Sequence, residues 1–151
     1  MIDVLMLATN AGCKTFRVTE TWSILSSLPS ARSSQICSGL VEYPDGTTGI
    51  LFTCGRSEPA SDFLNLDTLL WESKAPLPHD IFLAESVPYK NSFLIAGGES
   101  VELITYGLDT IYYYSPEDDE WQLLGRMKYG RNRSPSFLIP DWYANCTSAG
   151  F

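Results

Sequence analysis

Apolar residues along this chain come in short runs set apart by turn-forming clusters, and nowhere do they settle into a sustained helical period. Residues 36–42 (ICSGLVE) are rich in β-formers and stop at Pro44-Asp45-Gly46, whose glycine is free to take positive φ in a tight turn. Residues 49–54 (GILFTC) form a second apolar run, ended by Gly55. Residues 62–67 alternate around Phe63, Leu64 and Leu66, and Trp71 opens a fourth, more polar run before Pro76-Leu77-Pro78. This pattern predicts four strands joined by turns.

The same order returns downstream. Strands are predicted over 82–87, 92–96, 110–115 and 121–124, the second ending in Gly97-Gly98, where backbone without Cβ can turn and pack closely. The connection after it (GGESVELITYGL) is longer than its counterpart after Gly55. Upstream, 4–8, 15–18 and 22–25 read as the second, third and fourth strands of an incomplete unit, and 135–140 (PSFLIP) as the first strand of a further one. Trp22, Trp71 and Trp121 lie 49 and 50 residues apart. Leu28-Pro29 and Leu77-Pro78 follow the first two at +6 and +7, as Met127-Lys128 follows the third. At +10 stand Arg32, Ile81 and Arg131. This is a repeat of about fifty residues, with units at 1–32, 33–81 and 82–133 and the start of another at 134–151.

The unit over 82–133 resembles a kelch repeat: the apolar run and Gly-Gly of FLIAGG, the Tyr-x-Pro of Tyr114 to Pro116, Trp121, and the segment from Met127 to Arg131. The unit before it keeps Trp71 and Leu77-Pro78, but has Cys54-Gly55 for the two glycines and Leu64 and Leu66 for the Tyr and Pro. The first keeps Trp22, Leu28-Pro29 and Arg32. The resemblance implies an all-β chain of about three β-propeller blades, each of four antiparallel strands. Propellers have roughly four to eight blades, so about three do not close alone. The expectation is a piece of a longer propeller, with self-association or a second blade-bearing chain as the alternatives.

Charge and composition narrow the function. The net charge of −8 argues against nucleic acid and against an anionic membrane surface. No apolar stretch is long enough to span a bilayer. The start, MIDVLMLATN, has a short apolar run and Asp3 where a signal peptide has basic residues, so a buried strand is the better reading. Cys13, Cys37, Cys54 and Cys146 show no CxxC spacing, which argues against zinc and for buried free thiols. Sequons at Asn132 and Asn145 leave the compartment open, with cytoplasmic slightly favoured over secreted.

Chemistry has few candidates. His79 is the single histidine, too few for a catalytic pairing of ordinary type or for the copper site of kelch-like oxidases. The run Glu117-Asp118-Asp119-Glu120 reads as a polar turn rather than a calcium loop, and Gly97-Gly98 lacks the Lys-Ser/Thr of a phosphate loop. The expectation is therefore no catalysis, no cofactor and no metal.

In a four-stranded antiparallel unit, the loop between the second and third strands and the link to the next unit emerge at the same end. That places Arg32, Arg56, His79, Glu99, Glu102, Tyr106, Arg131 and Arg133 on one rim as partner-binding candidates. Trp22, Trp71, Trp121, Gly55, Gly97, Gly98, Tyr114 and Pro116 read as architecture, and Arg32 and Arg131 could equally brace the unit junctions. The functional expectation is a non-catalytic protein-interaction module that holds a protein or peptide by its rim loops, with aromatic and Arg side chains as anchors. The alternative is the propeller portion of an extracellular carbohydrate-binding protein or enzyme whose active residues lie elsewhere.

Overall fold

The computed structural model describes residues 4–9, 12–17 and 21–139, with side chains described from residue 25. It is all-β: eleven strands in three antiparallel sheets, with no helix among the described residues. The first sheet holds β1 (Val4–Thr9), β2 (Gly12–Arg17) and β3 (Thr21–Leu25) in chain order. The second holds β4 (Cys37–Glu42), β5 (Thr48–Thr53), β6 (Ser61–Asn65) and β7 (Trp71–Lys74), again in chain order. The third holds β8 (Glu85–Tyr89), β9 (Ser92–Ala96), β10 (Leu108–Ser115) and β11 (Glu120–Arg131), with β11 at one edge and β8 at the other.

Strand positions follow the apolar runs, with instructive departures. The predicted strand over 82–87 starts later, at Glu85, because Phe82 is spent on a separate antiparallel bridge to Glu99. The strand at 121–124 extends to Arg131 through a break in register with β10. The strand read over 135–140 is not formed where it can be followed: residues 134–139 carry no strand, and residue 140 lies outside the described residues. Trp22 lies in β3, its side chain outside the described residues, as are Asn145 and Cys146.

The second and third sheets share one core. Val41, Leu51, Phe63, Phe93, Ile95 and Tyr114 are fully or almost fully buried in it, with Tyr43 and Trp121 packed at its margin. Approach is close at Gly39, where a Cβ would stand 2.3 Å from the Phe93 ring. Burying surface of this kind is worth roughly 25 cal/mol per Å2, which neither sheet could gain alone.

Polar contacts fix the same junction. The Glu42 amide donates to Asn91 O at 2.8 Å. The Tyr114 hydroxyl donates to Asp119 at 2.7 Å and sits 2.9 Å from the Tyr43 hydroxyl, while Asp119 also accepts from the Ala75 amide at 3.0 Å. Asp119 and Asp118, which accepts from Ser115, are thus engaged by their own turn and its neighbours, as the polar-turn reading expects.

Cys37 and Cys54 form a disulfide between the start of β4 and the end of β5, with Cα atoms 5.3 Å apart. This corrects the expectation of free thiols for that pair. The register places Cys37 opposite Thr53, next to Cys54, so the two side chains meet without displacing either strand.

Candidate functional site

The repeat seen in the tryptophans is written into the hydrogen bonds. Trp71 Nε1 donates to Ser26 O at 3.3 Å and Trp121 Nε1 to Ala75 O at 3.1 Å, so each indole reaches the fourth residue after the preceding tryptophan. Gly55 N donates to Ile81 O and Gly98 N to Arg131 O, both at 2.7 Å and both to the residue at +10. Arg56 N donates to Ser33 O at 3.0 Å and Glu99 N to Phe82 O at 2.7 Å, both to the residue at +11. At +12, Ser34, Leu83 and Arg133 all take positive φ, at 70°, 57° and 49°.

These equivalences define the glycine pair. Gly97 has φ +67° and Cys54, its counterpart, +61°, so the cysteine carries a left-handed conformation that glycine takes freely. A Cβ on Gly97 would stand 2.3 Å from Arg131 O, and one on Gly98 2.8 Å from Phe82 O. The glycines are there because the link after β11 lies directly on them.

Such links and loops meet at an open depression of about 520 Å3. The three +12 residues Ser34, Leu83 and Arg133 all line it, together with Arg56 and Glu99, which follow the equivalent glycines. Ile104 and Tyr106 from the long β9–β10 loop complete it and stand far into solvent, 87% and 84% exposed. The Arg56 guanidinium lies 6.0 Å from the centre of the Phe82 ring, which also lines the depression.

Asp80 shapes the long loop. Its carboxylate is buried and accepts from Ser100 Oγ at 2.6 Å, from the amides of Val101 and Glu102 at 3.1 Å each, and from the Ser57 amide at 3.2 Å. Burial pushes this carboxyl upward, but those donors outweigh it and hold the group below its ordinary value. Ser100 pairs in turn with Thr105, closing a tight turn that leaves Ile104 at φ +51°. Asn132 pins the loop from the other side, donating to the Glu99 carboxylate and to Tyr106 O.

Of the rim candidates, Arg56, Glu99, Tyr106 and Arg133 line the depression. Glu102 stands just outside, in a shallower hollow with Ser57, Pro59 and Asp80. Arg131 is exposed at the end of β11, and its main-chain oxygen, rather than its side chain, serves the loop. His79 is turned away: its Nε2 is buried without a partner and its ring stands edge-on to Tyr112 at 6.0 Å. Arg32 is a correction. It is 2% exposed, pairs with Asp62 at 2.8 Å and donates to Cys54 O and Ala60 O, so it braces the first link against the second sheet.

The sequence reading missed Ser34, Phe82, Leu83 and Ile104. The first three sit at fixed offsets, +11 and +12 from a tryptophan, and that count was the signal available. Among the described residues, no group of three or more His, Cys, Asp or Glu is arranged to hold a metal ion, and no helix is long and apolar enough to cross a membrane. Compared with known proteins, the chain matches no family model and no curated protein.

Proposed function

We propose that the chain is part of a kelch-like β-propeller that acts as a non-catalytic protein-interaction module, holding a protein or peptide segment in the depression. The observation that carries this reading is the convergence of equivalent positions. Ser34, Leu83 and Arg133 come from successive units at one offset, and Arg56 and Glu99 from another. The backbone there is set by the repeat while the side chains differ from unit to unit, which is how a repeat scaffold separates architecture from recognition.

The lining suits a peptide. It combines two guanidiniums, an aromatic ring beside one of them, and two exposed apolar or aromatic side chains on a braced loop. Rigid aromatic and Arg anchors commonly dominate binding energy at such surfaces. The single histidine packs on Tyr112 away from the depression, which supports the reading of the site as one for binding rather than reaction.

Selection from a random-peptide display library on the folded chain tests this. Peptides recovered on the wild type are expected to lose binding to the Arg56→Ala/Tyr106→Ala/Arg133→Ala variant while thermal unfolding stays near that of the wild type. Peptides that bind the variant equally well would place recognition elsewhere.

A second reading, an extracellular propeller portion of a carbohydrate-binding protein or enzyme, is favoured by one observation. The Cys37–Cys54 disulfide suits an oxidising compartment. Mass spectrometry of a non-reduced digest from the native source decides the redox state and so the compartment.

A further inference from the structure

Four of the chain's ten Lys and Arg residues, Arg126, Lys128, Arg131 and Arg133, fall within residues 126–133, a stretch with no acidic residue in a chain of net charge −8. The same stretch interrupts the β10–β11 pairing. Thr110 faces Arg126 and Leu108 faces Arg131, so residues 127–130 stand opposite Asp109 alone. A bulge of this kind leaves its extra residues unpaired and bends the strand. It forms an arch on the outer strand of the sheet, with Lys128 and Tyr129 exposed and the ammonium 5.6 Å from the ring centre.

The arch leads into the depression. Arg133 lines it two residues after β11 ends. Arg126 pairs with Asp109 at 2.5 Å, but both side chains are exposed, and such a pair exchanges readily for an incoming carboxylate. Bulges and cations on an edge strand discourage addition of another strand, which leaves side-chain recognition as the use of this surface. The sign of the patch then selects the partner. A long polyanion or anionic membrane meets the repulsion of the whole chain, whereas a short acidic segment responds mainly to charges within a Debye length, about 8–10 Å.

We infer that the arch and the depression take one extended protein segment, whose apolar side chain sits against Ile104 and Tyr106 and whose flanking Asp or Glu residues lie on residues 126–131. This rests on the depression being a peptide site and adds the chemical class of the peptide.

The test uses a fluorescent Glu-rich peptide with a central Leu, and its counterpart with every Glu replaced by Gln, titrated against the whole chain. The Glu peptide is expected to bind, to weaken at least about fivefold in Arg126→Gln/Lys128→Gln, and to weaken again as salt rises. The Gln counterpart is expected to bind at least about fivefold more weakly than the Glu peptide. Equal binding of the two peptides, or no effect of the double variant, overturns the acidic class while leaving the depression reading intact if Arg56→Ala/Tyr106→Ala/Arg133→Ala still abolishes binding. Binding by neither peptide, with nothing selected from the display library, removes both readings. Tighter binding of single-stranded DNA or of phosphatidylserine vesicles, dependent on Arg126 and Lys128, also overturns the acidic-protein assignment. If the double variant unfolds, each single substitution is read in its place.

Discussion

Trp121 and Ala75 are joined across the two four-stranded sheets, the indole N–H donating to the main-chain oxygen at 3.1 Å. Ala75 stands at +4 from Trp71, and Ser26, which accepts from Trp71, stands at +4 from Trp22. The tryptophan therefore holds each unit to the one before it. Replacing Trp121 by Phe keeps most of the ring but leaves Ala75 O without this donor. A loss of about 1–3 kcal/mol is expected from denaturant unfolding. Trp71→Phe should cost less, since its hydrogen bond is exposed.

Gly97 and Gly125 separate backbone need from mere smallness. Gly97→Ala meets Arg131 O at 2.3 Å in a left-handed conformation and should cost about 2 kcal/mol or more. Gly125 has nothing within 4 Å of a built Cβ, so Gly125→Ala should be neutral or stabilise by up to about 1 kcal/mol. Thermal unfolding of the two variants side by side checks the contrast.

Arg32 and Asp62 form a buried pair, their side chains 0% and 4% exposed. Removing either alone leaves the other charge without compensation, so Arg32→Met or Asp62→Leu should each cost about 3–5 kcal/mol, and the double replacement less than their sum. A double-mutant cycle by denaturant unfolding measures the coupling. Arg32→Met should not alter the peptide preference of the depression.

Asp80 gives the loop an acid limit. Its folded pKa lies below the ordinary 3.8, so its contribution is fully present above that value and is lost as pH falls through the depressed one. Amide exchange at Val101 and Glu102 should accelerate as pH drops below about 4, after correction for intrinsic rates. In Asp80→Asn the exchange should already be fast at neutral pH. Tyr114 sets an opposite limit: burial first, then its bonds to Tyr43 and Asp119, push its hydroxyl far above the ordinary 10. Its contribution is present below pH 10 and is lost on alkaline titration, and Tyr114→Phe should flatten that loss.

The disulfide closes a loop of 17 residues in sequence separation. Replacing Cys37 and Cys54 by Ala should cost about 3 kcal/mol on the chain-entropy account. The same loss should appear in the wild type under reductant, measured by denaturant unfolding.

The strands were legible because their apolar runs and turn residues are local signals, and the units because Trp22, Trp71 and Trp121 share downstream spacings. Leu83 and Ser34 were hidden because nothing in the side chains marks a left-handed residue that is not glycine. Arg32 and Arg131 share an offset, yet one is buried and the other exposed. The difference lies in Asp62, whose carboxylate receives Arg32, while Tyr112 occupies the matching place in the third sheet and receives the His79 ring instead. A single offset cannot say which side chain the next unit supplies. The disulfide was missed for a similar reason: Cys37 and Cys54 meet only through the β4–β5 register.

Photo-cross-linking tests the depression most directly. A benzophenone amino acid placed at Tyr106, and separately at Leu69, another exposed position in the β6–β7 turn, is irradiated with peptides selected on the wild-type chain. Cross-links from position 106, with position 69 silent, are the predicted result. Cross-links from position 69 with none from 106 would contradict the assignment of the depression as the binding site.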